Sequence, residues 1–265
     1  MQAGESVIVI REIRQGIGWI TLNRPEVRNA LSGELMEAVG ESLDAFEADG
    51  AIRAIVLAGA GPAFCAGADL RSMRSSRESS DEANRADARR MGGLFHRIAS
   101  CRKPVLARVH GPAIGGGVGL MAACDIVIAA DSTRFQFSEV RLGIVPAVIS
   151  PFCIRRLGAV TAKRLFLTGE AIDATAALGY GLVDMVAVDA SLDDAVARVC
   201  GDLGKAGPEA LIAAKQLVET VTRLGGDAAL DYTADLIARL RVSDEAVEGM
   251  TAFLEKRPAA WVGAK

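Results

Sequence analysis

One glutamate in an apolar segment is the first candidate for chemistry in this chain. Glu139 lies within FSEVRLGIVP at residues 137–146, where most of its neighbours are apolar. A carboxyl group next to buried surface has a raised pKa, which suits proton transfer near neutral pH. The alternative interpretation is a surface ion pair between Glu139 and Arg141, which needs no function.

Two loops of small residues are the second candidate. They read FCAGADL at residues 64–70 and HGPAIGGGVGL at residues 110–120. Small side chains leave backbone N–H groups open, and Asp69 could cap a helix that begins there. A helix start offers unpaired donors that can bind a developing oxyanion. Neither loop matches GxxxxGK[ST], and the second lacks the last glycine of a dinucleotide fingerprint, so plain tight turns remain an alternative.

Alternating strand and helix patterns place these candidates in an α/β fold. Residues 7–13 and Ile17–Leu22 predict a hairpin, and Ser32 precedes a helical pattern that ends at Asp49-Gly50. A buried strand is predicted at residues 54–58. Residues 71–90 are rich in arginine and serine, which favours a solvated helix or a mobile loop.

The middle of the chain shows the strand–turn–helix–strand pattern of a crossover connection, and the end of the chain is predicted to be helical. A strand at Val105–Val109 leads through the glycine-rich turn and a small-residue helix to a strand at Ile126–Ala130, which predicts buried parallel strands. A last strand is predicted at residues 183–188. Helices follow at residues 192–203, 208–224, 228–241 and 243–256. We therefore expect an α/β core over residues 1–190 and a helical region over residues 191–265.

Composition excludes several classes of protein. The chain has 265 residues and a net charge of −3, so it lacks the basic field of most nucleic-acid binders. Its five cysteines form no CxxC pair, which favours buried thiols in a reducing cytosol over disulfides or a metal site. No apolar segment is long enough to cross a bilayer, and the first residues do not read as a secretory signal. We expect a cytoplasmic protein without nucleic-acid or membrane partners.

A few polar residues near the glycine-rich loop have less specific interpretations. Arg102, Lys103 and Arg108 form a short basic stretch for which solvated surface is the favoured interpretation. His110 ends a strand and is interpreted as a residue that supports the site, and His96 as a structural residue of a helix.

In their order along the chain, several motifs resemble the crotonase (enoyl-CoA hydratase/isomerase) superfamily. They are Asn23-Arg24-Pro25 with Asn29-Ala30-Leu31, the 64–70 loop, Gly115-Gly116-Gly117, Ala123-Cys124-Asp125-Ile126, Leu167-Thr168-Gly169, and Phe253-Leu254-Glu255-Lys256-Arg257. The resemblance implies a spiral of ββα turns with a helical C-terminal oligomerisation region, assembled as a homotrimer or hexamer. It also implies an acyl-CoA thioester substrate, with coenzyme A as part of the substrate and no separate cofactor or metal.

The resemblance assigns roles to residues by motif position. The N–H groups of Ala68 and Gly116 would hold the thioester carbonyl, and Glu139 would be the acid–base. In hydratases of this family a further glutamate stands at the position of Gly119, which is a departure in this chain. The coenzyme A contacts implied are Arg28, Ala66, Ala68, Asp69, Leu70, Phe253 and Lys256.

Three functions follow from this resemblance. The first is hydration of a short or branched 2-enoyl-CoA by Glu139 alone, with Ser150 or a substrate carboxylate helping to hold the water. The segment PAVISPF at residues 146–152 resembles the methylglutaconyl-CoA hydratases of leucine breakdown. The alternatives are an enoyl-CoA isomerase, which needs one base, and a catalytically weak acyl-CoA-binding paralogue.

Overall fold

A twisted sheet of mostly parallel strands forms the centre of the molecule. A computed structural model describes residues 7–69 and 79–263. The strands, numbered along the described residues, are β1 (Val9–Arg14), β2 (Ile17–Leu22), β3 (Ala54–Gly59), β4 (Val105–Val109), β5 (Pro112–Ile114), β6 (Ile126–Ala130), β7 (Arg134–Gln136), β8 (Ala171–Asp173) and β9 (Met185–Ala187). The large sheet has the order β1-β2-β3-β4-β6-β9, in which β1 and β2 are antiparallel and the other neighbours are parallel.

Helices follow most of the strands. They are α1 (Gly33–Ala48), α2 (Asp81–Ser100), α3 (Gly116–Ala122), α4 (Ser150–Thr168), α5 (Ala174–Gly179), α6 (Leu192–Lys205), α7 (Pro208–Val221), α8 (Gly226–Arg241) and α9 (Asp244–Leu254). Helix α4 bends at Gly158, where the backbone has φ 69° and ψ 160°. Short 3₁₀ helices occur at Pro25–Val27, Glu139–Leu142 and Asp189–Ser191.

Both faces of the large sheet are covered, as buried parallel strands require. Every residue of β3 is buried. The main apolar core packs α1, α2, α3 and α4 around one face. On the other face, Leu192, Val196 and Cys200 of α6 pack against β3, β4 and β6. Through α6 the C-terminal helices are attached directly to the sheet.

The structure confirms most of the elements predicted from the sequence. The opening hairpin forms, and the Ser32 side chain accepts a hydrogen bond from the Leu35 N–H at the start of α1. All five cysteines are buried and free. Of residues 71–90, those from Asp81 onward form the first half of α2, and residues 71–78 lie outside the described residues. Among the described residues, no helix is both long and apolar enough to cross a membrane.

The structure also corrects expectations about β5 and Lys103. Strand β4 is not joined to α3 by a turn alone, because β5 lies between them and pairs with β7 in a small sheet of order β5-β7-β8. Lys103 is buried rather than solvated: its Nζ donates to the carbonyl of Phe46 at 2.7 Å and to that of Asp49. These carbonyls belong to the end of α1, so Lys103 caps that helix.

Candidate active site

The second glycine-rich loop is folded as a strand followed by a helix start. After β4, Gly111 adopts φ 58°, and the chain then forms β5, which is followed by Gly115 at φ 49°. Helix α3 then begins at Gly116, which is buried. Residues with a side chain rarely adopt these positive φ values. Glycine does so without strain, and it therefore permits the backbone to turn from β4 into β5 and from β5 into α3.

The first loop lies beside the second. Cys65 pairs with Ala113 of β5 in an isolated bridge, and Ala68 pairs with Leu31 in another. Gly67 has φ 92°, and a Cβ there would lie 2.6 Å from the Ile114 carbonyl oxygen. The two loops can approach so closely because Gly67 has no side chain.

This approach brings the two predicted oxyanion donors together. A Cβ added to Gly116 would lie 3.5 Å from the Ala68 nitrogen, and one added to Gly67 would lie 3.3 Å from the Gly116 nitrogen. In the part of the chain that the structure describes, neither the Ala68 N–H nor the Gly116 N–H donates a hydrogen bond. Two free, neighbouring donors can bind one carbonyl oxygen as it becomes an oxyanion.

Glu139 lies next to these donors. Its Oε1 would be 2.9 Å from a Cβ on Gly115, the residue that precedes Gly116. Its Oε2 is buried and has no hydrogen-bond partner. Burial raises the pKa of Glu139, and a hydrogen bond from its own backbone N–H opposes this only in part. The surface pair with Arg141 does not form among the described residues, where every ion pair of 4.0 Å or less involves other groups.

Gly119, the position at which this chain lacks the glutamate of the family's hydratases, is covered by another side chain. A Cβ on Gly119 would lie 2.2 Å from Cγ2 of Ile149 and 3.3 Å from the Phe95 ring. Ile149 itself is buried. The space beside Glu139 that a side chain at residue 119 would enter is therefore filled with hydrocarbon.

Asn29 holds the first loop, a role that sequence reasoning missed. Its side chain is 0% exposed, and its Nδ2 lies within hydrogen-bonding distance of the carbonyls of Ala60, Ala63 and Phe64, at 2.9, 2.9 and 3.2 Å. Its Oδ1 accepts from the Arg24 N–H at 2.8 Å. The signal for this role was the Asn29-Ala30-Leu31 motif, but which atoms it bonds cannot be read from a motif.

His110 supports the same loop, in agreement with its interpretation. The ring Nε2 lies 2.8 Å from the Gly61 carbonyl oxygen and Nδ1 lies 3.0 Å from Nη1 of Arg108. A neutral ring that donates from Nε2 and accepts at Nδ1 satisfies both contacts. Arg108 in turn pairs with Asp193 and is mostly buried, so it is not the solvated surface residue that was expected.

The residues predicted to contact coenzyme A lie in separate parts of the chain. Ala66 donates its N–H to the Arg28 carbonyl at 2.9 Å, and the Arg28 side chain is exposed. Asp69 lies 3.5 Å from the Arg24 guanidinium. Phe253, which is 83% exposed, and Lys256 lie at the end of α9. Leu70 lies outside the described residues.

The fold and the site together define a class of enzyme. It is an α/β protein in which two backbone donors and a partly buried carboxylate meet at the start of a helix. The comparisons identify the family. A family model described as "Enoyl-CoA hydratase/isomerase" matches residues 12–264. The chain therefore belongs to the enoyl-CoA hydratase/isomerase family, within the crotonase superfamily, and is an enzyme of that family.

Individual relatives agree with this assignment over nearly the whole chain. A "Probable enoyl-CoA hydratase" of Rhizobium meliloti is 38% identical over 94% of this chain and 95% of its own length. The "2,3-dehydroadipyl-CoA hydratase" of Escherichia coli is 35% identical over 97% of this chain and 98% of its own length. A crystal structure of an enoyl-CoA hydratase from Shewanella pealeana has a TM-score of 0.92 at 33% identity, with 96% of each chain covered. The predicted fold class is confirmed by this likeness.

Proposed function

We propose that this enzyme hydrates a short or branched 2-enoyl-CoA, with Glu139 as acid–base and the Ala68 and Gly116 N–H groups as the oxyanion hole. The observation that carries the proposal is the Glu139 carboxylate, whose Oε2 is buried without a partner next to two free backbone donors. Each donor aimed at a developing oxyanion typically contributes about 3 kcal/mol to transition-state stabilisation.

One carboxylate can complete the addition of water. The water oxygen forms a bond to C3 while Glu139 takes one of its protons. The C2=C3 electron pair forms the C1=C2 bond, and the carbonyl electron pair moves onto the thioester carbonyl oxygen. The resulting enolate oxygen is stabilised by the Ala68 and Gly116 N–H groups. Glu139 then gives its proton to C2, which restores the carbonyl and the ionised carboxylate. The raised pKa of Glu139 favours both proton transfers near neutral pH.

The proposed acyl group is branched and carries a distal carboxylate, as in 3-methylglutaconyl-CoA. The support is the PAVISPF segment and the name of the Escherichia coli relative, whose substrate is the thioester of a dicarboxylic acid. Ser150 is a candidate for holding the water, because its hydroxyl donates to the Ala147 carbonyl at 2.8 Å and keeps its own lone pairs for accepting.

The remaining contacts are proposed from the resemblance. Arg28 would lie near the coenzyme A phosphates, and the backbone of Ala66 and Ala68 would lie near its adenine. Asp69 and Leu70 would be further coenzyme A contacts, and Phe253 and Lys256 would reach a neighbouring subunit's coenzyme A. We propose a cytoplasmic homotrimer or hexamer, with the trimer contacts in the helices of residues 191–265.

A substrate panel tests the function. Wild type, Glu139→Gln and the exposed control Glu26→Gln are assayed with 2-enoyl-CoAs that are straight, branched or carboxylated. We expect hydration to be fastest with the branched, carboxylated thioester and to fall by a factor of ~10²–10⁴ in Glu139→Gln, because general acid–base help is lost. Wild-type rates in Glu139→Gln would contradict the assignment of the base.

Isomerisation of an enoyl-CoA is the second candidate, and the hydrocarbon over Gly119 favours it. A single base suffices to move a proton between the α and γ carbons, and Ile149 keeps a second acid group from that position. With a 3-enoyl-CoA, a rise in the absorbance of the conjugated enoyl thioester indicates isomerisation. With a 2-enoyl-CoA, a loss of that absorbance indicates hydration. Binding of acyl-CoA without turnover in either assay would indicate the binding paralogue instead.

A further inference from the structure

Glu139 and Ile149 cover adjacent positions on one face of α3. Gly119 follows Gly115 by four residues, and its N–H donates to the Gly115 carbonyl at 3.1 Å, so the two glycines lie on the same face. Glu139 Oε1 is the nearest atom to a Cβ on Gly115, at 2.9 Å. On Gly119 the corresponding neighbours are Ile149 Cγ2 at 2.2 Å and Ile149 Cβ at 2.6 Å.

The position of Ile149 is fixed by what surrounds it. Its carbonyl accepts hydrogen bonds from the N–H groups of Phe152 and Cys153 at 3.2 and 3.1 Å, so it is the N-cap residue of α4. Phe95 also contacts the space over Gly119, and its ring packs edge-on against Phe152 with centroids 5.9 Å apart. Ile149 is 3% exposed, so it has little room to move aside.

We propose that Ile149 determines the reaction specificity of this site: it occupies the space over Gly119, keeps acidic side chains out of it, and thereby confines acid–base chemistry on this face of α3 to Glu139. This inference rests on the proposed function in one respect, namely that Glu139 is the acid–base. It adds that Gly119 and the buried Ile149 together, and not Gly119 alone, limit the site to a single catalytic carboxylate.

The physical consequence is that residues 119 and 149 are coupled. A Cβ at residue 119 overlaps both Cβ and Cγ2 of Ile149, so Ile149→Ala would relieve only part of this overlap. Ile149→Gly would remove both atoms and leave the Phe95 ring as the remaining neighbour, at 3.3 Å. Residues that share one space have non-additive effects on stability. Gly119→Glu by itself would force α3 and α4 apart, whereas Gly119→Glu with Ile149→Gly would place a carboxylate beside Glu139.

The experiment compares wild type, Gly119→Glu, Ile149→Gly, the double variant, and a second double variant with Gly119→Gln and Ile149→Gly. The Gln variant matches the Glu variant in size and lacks the charge. Thermal unfolding is measured for each protein, together with the rate of crotonyl-CoA hydration. We expect Gly119→Glu to lower the unfolding temperature, and the double variants to be more stable than the sum of the single effects predicts.

We also expect the Glu double variant to hydrate crotonyl-CoA at least about tenfold faster than both Ile149→Gly and the Gln double variant, because it regains a general acid–base. Additive stabilities, or equal rates in the Glu and Gln double variants, would overturn the proposal. Failure of the proposed function looks different: wild type then hydrates no enoyl-CoA, while the stability coupling and the gain of hydration in the Glu double variant remain measurable.

Discussion

Glu139 is placed where burial destabilises its ionised form. Burial raises the pKa of its carboxyl above the usual 4.5, and its Oε2 has no hydrogen-bond partner to offset the loss of water. A structural carboxylate would gain from a partner, and a reacting one must keep an oxygen free for substrate. The cost in stability is therefore part of the function proposed for this residue.

That cost can be measured as a function of pH. Because the folded-state pKa of Glu139 is raised, the folded protein holds this proton to a higher pH than the unfolded chain does. The stability contributed by the protonated form is present below the unfolded pKa and is lost as pH rises through the folded pKa. We predict that Glu139→Gln unfolds at a higher temperature than wild type at neutral pH, and that this difference shrinks as the pH falls toward 4.

Thermal unfolding over a pH series checks this prediction. Glu26→Gln, at an exposed position of the first 3₁₀ helix, is the matched control and should show no such trend. A difference for Glu139→Gln that stays constant at every pH would show that titration of this carboxyl is not its cause.

Asn29 offers a second prediction at the scale of single residues. Asn29→Asp keeps the shape of the side chain and replaces the amide donor with a carboxylate that faces the carbonyls of Ala60, Ala63 and Phe64. The loop that ends at Ala68 then loses its support, so we expect a loss of about 2–4 kcal/mol in stability and a lower kcat.

Asn29→Gly separates the hydrogen bonds from the backbone conformation, because Asn29 has φ 57°, which glycine adopts without strain. If the amide is what matters, both variants lose kcat in the hydration assay. Retention of wild-type kcat in a folded Asn29→Asp protein would show that the loop is positioned by other contacts.

At the scale of elements, the site depends on two glycines where neighbouring segments meet. A Cβ on Gly67 would lie 2.6 Å from the Ile114 carbonyl, and one on Gly117 would lie 2.2 Å from the Cys65 carbonyl. Both glycines lie where the 64–69 loop packs against β5 and the start of α3. The distance between the Ala68 and Gly116 donors is thus set by the absence of side chains.

We predict that Gly67→Ala lowers kcat by a factor of about 10²–10³, close to the loss of one oxyanion donor. The variant must also leave φ 92°, so the Ala68 N–H changes direction. Gly201→Ala in α6, where nothing lies within 4 Å of the added Cβ, is the control and should keep full activity. The prediction is checked by measuring steady-state rates of both variants with the preferred enoyl-CoA. Equal rates in the two variants would contradict the role of the Ala68 N–H as an oxyanion donor.

The elements also show how far sequence reasoning reaches. β-branched runs and the Ser32 cap predict β1, β2 and α1 because these signals are local. Strand β5 has three residues and no pattern of its own; it exists because β7 pairs with it. The same limit applies to Lys103, whose partners at the end of α1 lie 54 and 57 positions away.

In the candidate site too, the sequence predicted some features and not others. Motif positions predicted Glu139, Ala68 and Gly116, which the structure brings together. They did not predict that Ile149 fills the space over Gly119, since that contact joins α3 to a segment thirty positions later and depends on tertiary packing.

At the scale of the whole molecule, the C-terminal helices expose apolar surface. Side chains at least 48% exposed include Leu230 and Ile237 of α8, Met250 of α9 and Phe253. Between α7 and α8 lies an apolar cavity of about 480 Å³, which Leu230 and Ile237 help to line. Apolar patches of this kind mark surfaces that another protein covers. The occupant proposed from the family resemblance is a further copy of this chain.

Burying a leucine or isoleucine side chain contributes about 1.5–3 kcal/mol, so charges at these positions should weaken such an assembly. We predict that Leu230→Asp with Ile237→Asp converts a trimer or hexamer to smaller species in sedimentation analysis. Arg239→Asp, on the opposite face of α8, should leave the mass unchanged, because nine residues from Leu230 correspond to two and a half helical turns.

The same variants test whether the active site is shared between subunits. If Phe253 and Lys256 contact the coenzyme A of a neighbour, the dissociated protein should show a higher KM for its acyl-CoA than wild type while Glu139 and the oxyanion donors remain in place. A CoA-free thioester substrate with the same acyl group should then show no such rise, because it makes no contact with the neighbour. A dissociated protein with an unchanged KM for acyl-CoA would place the whole site within one chain.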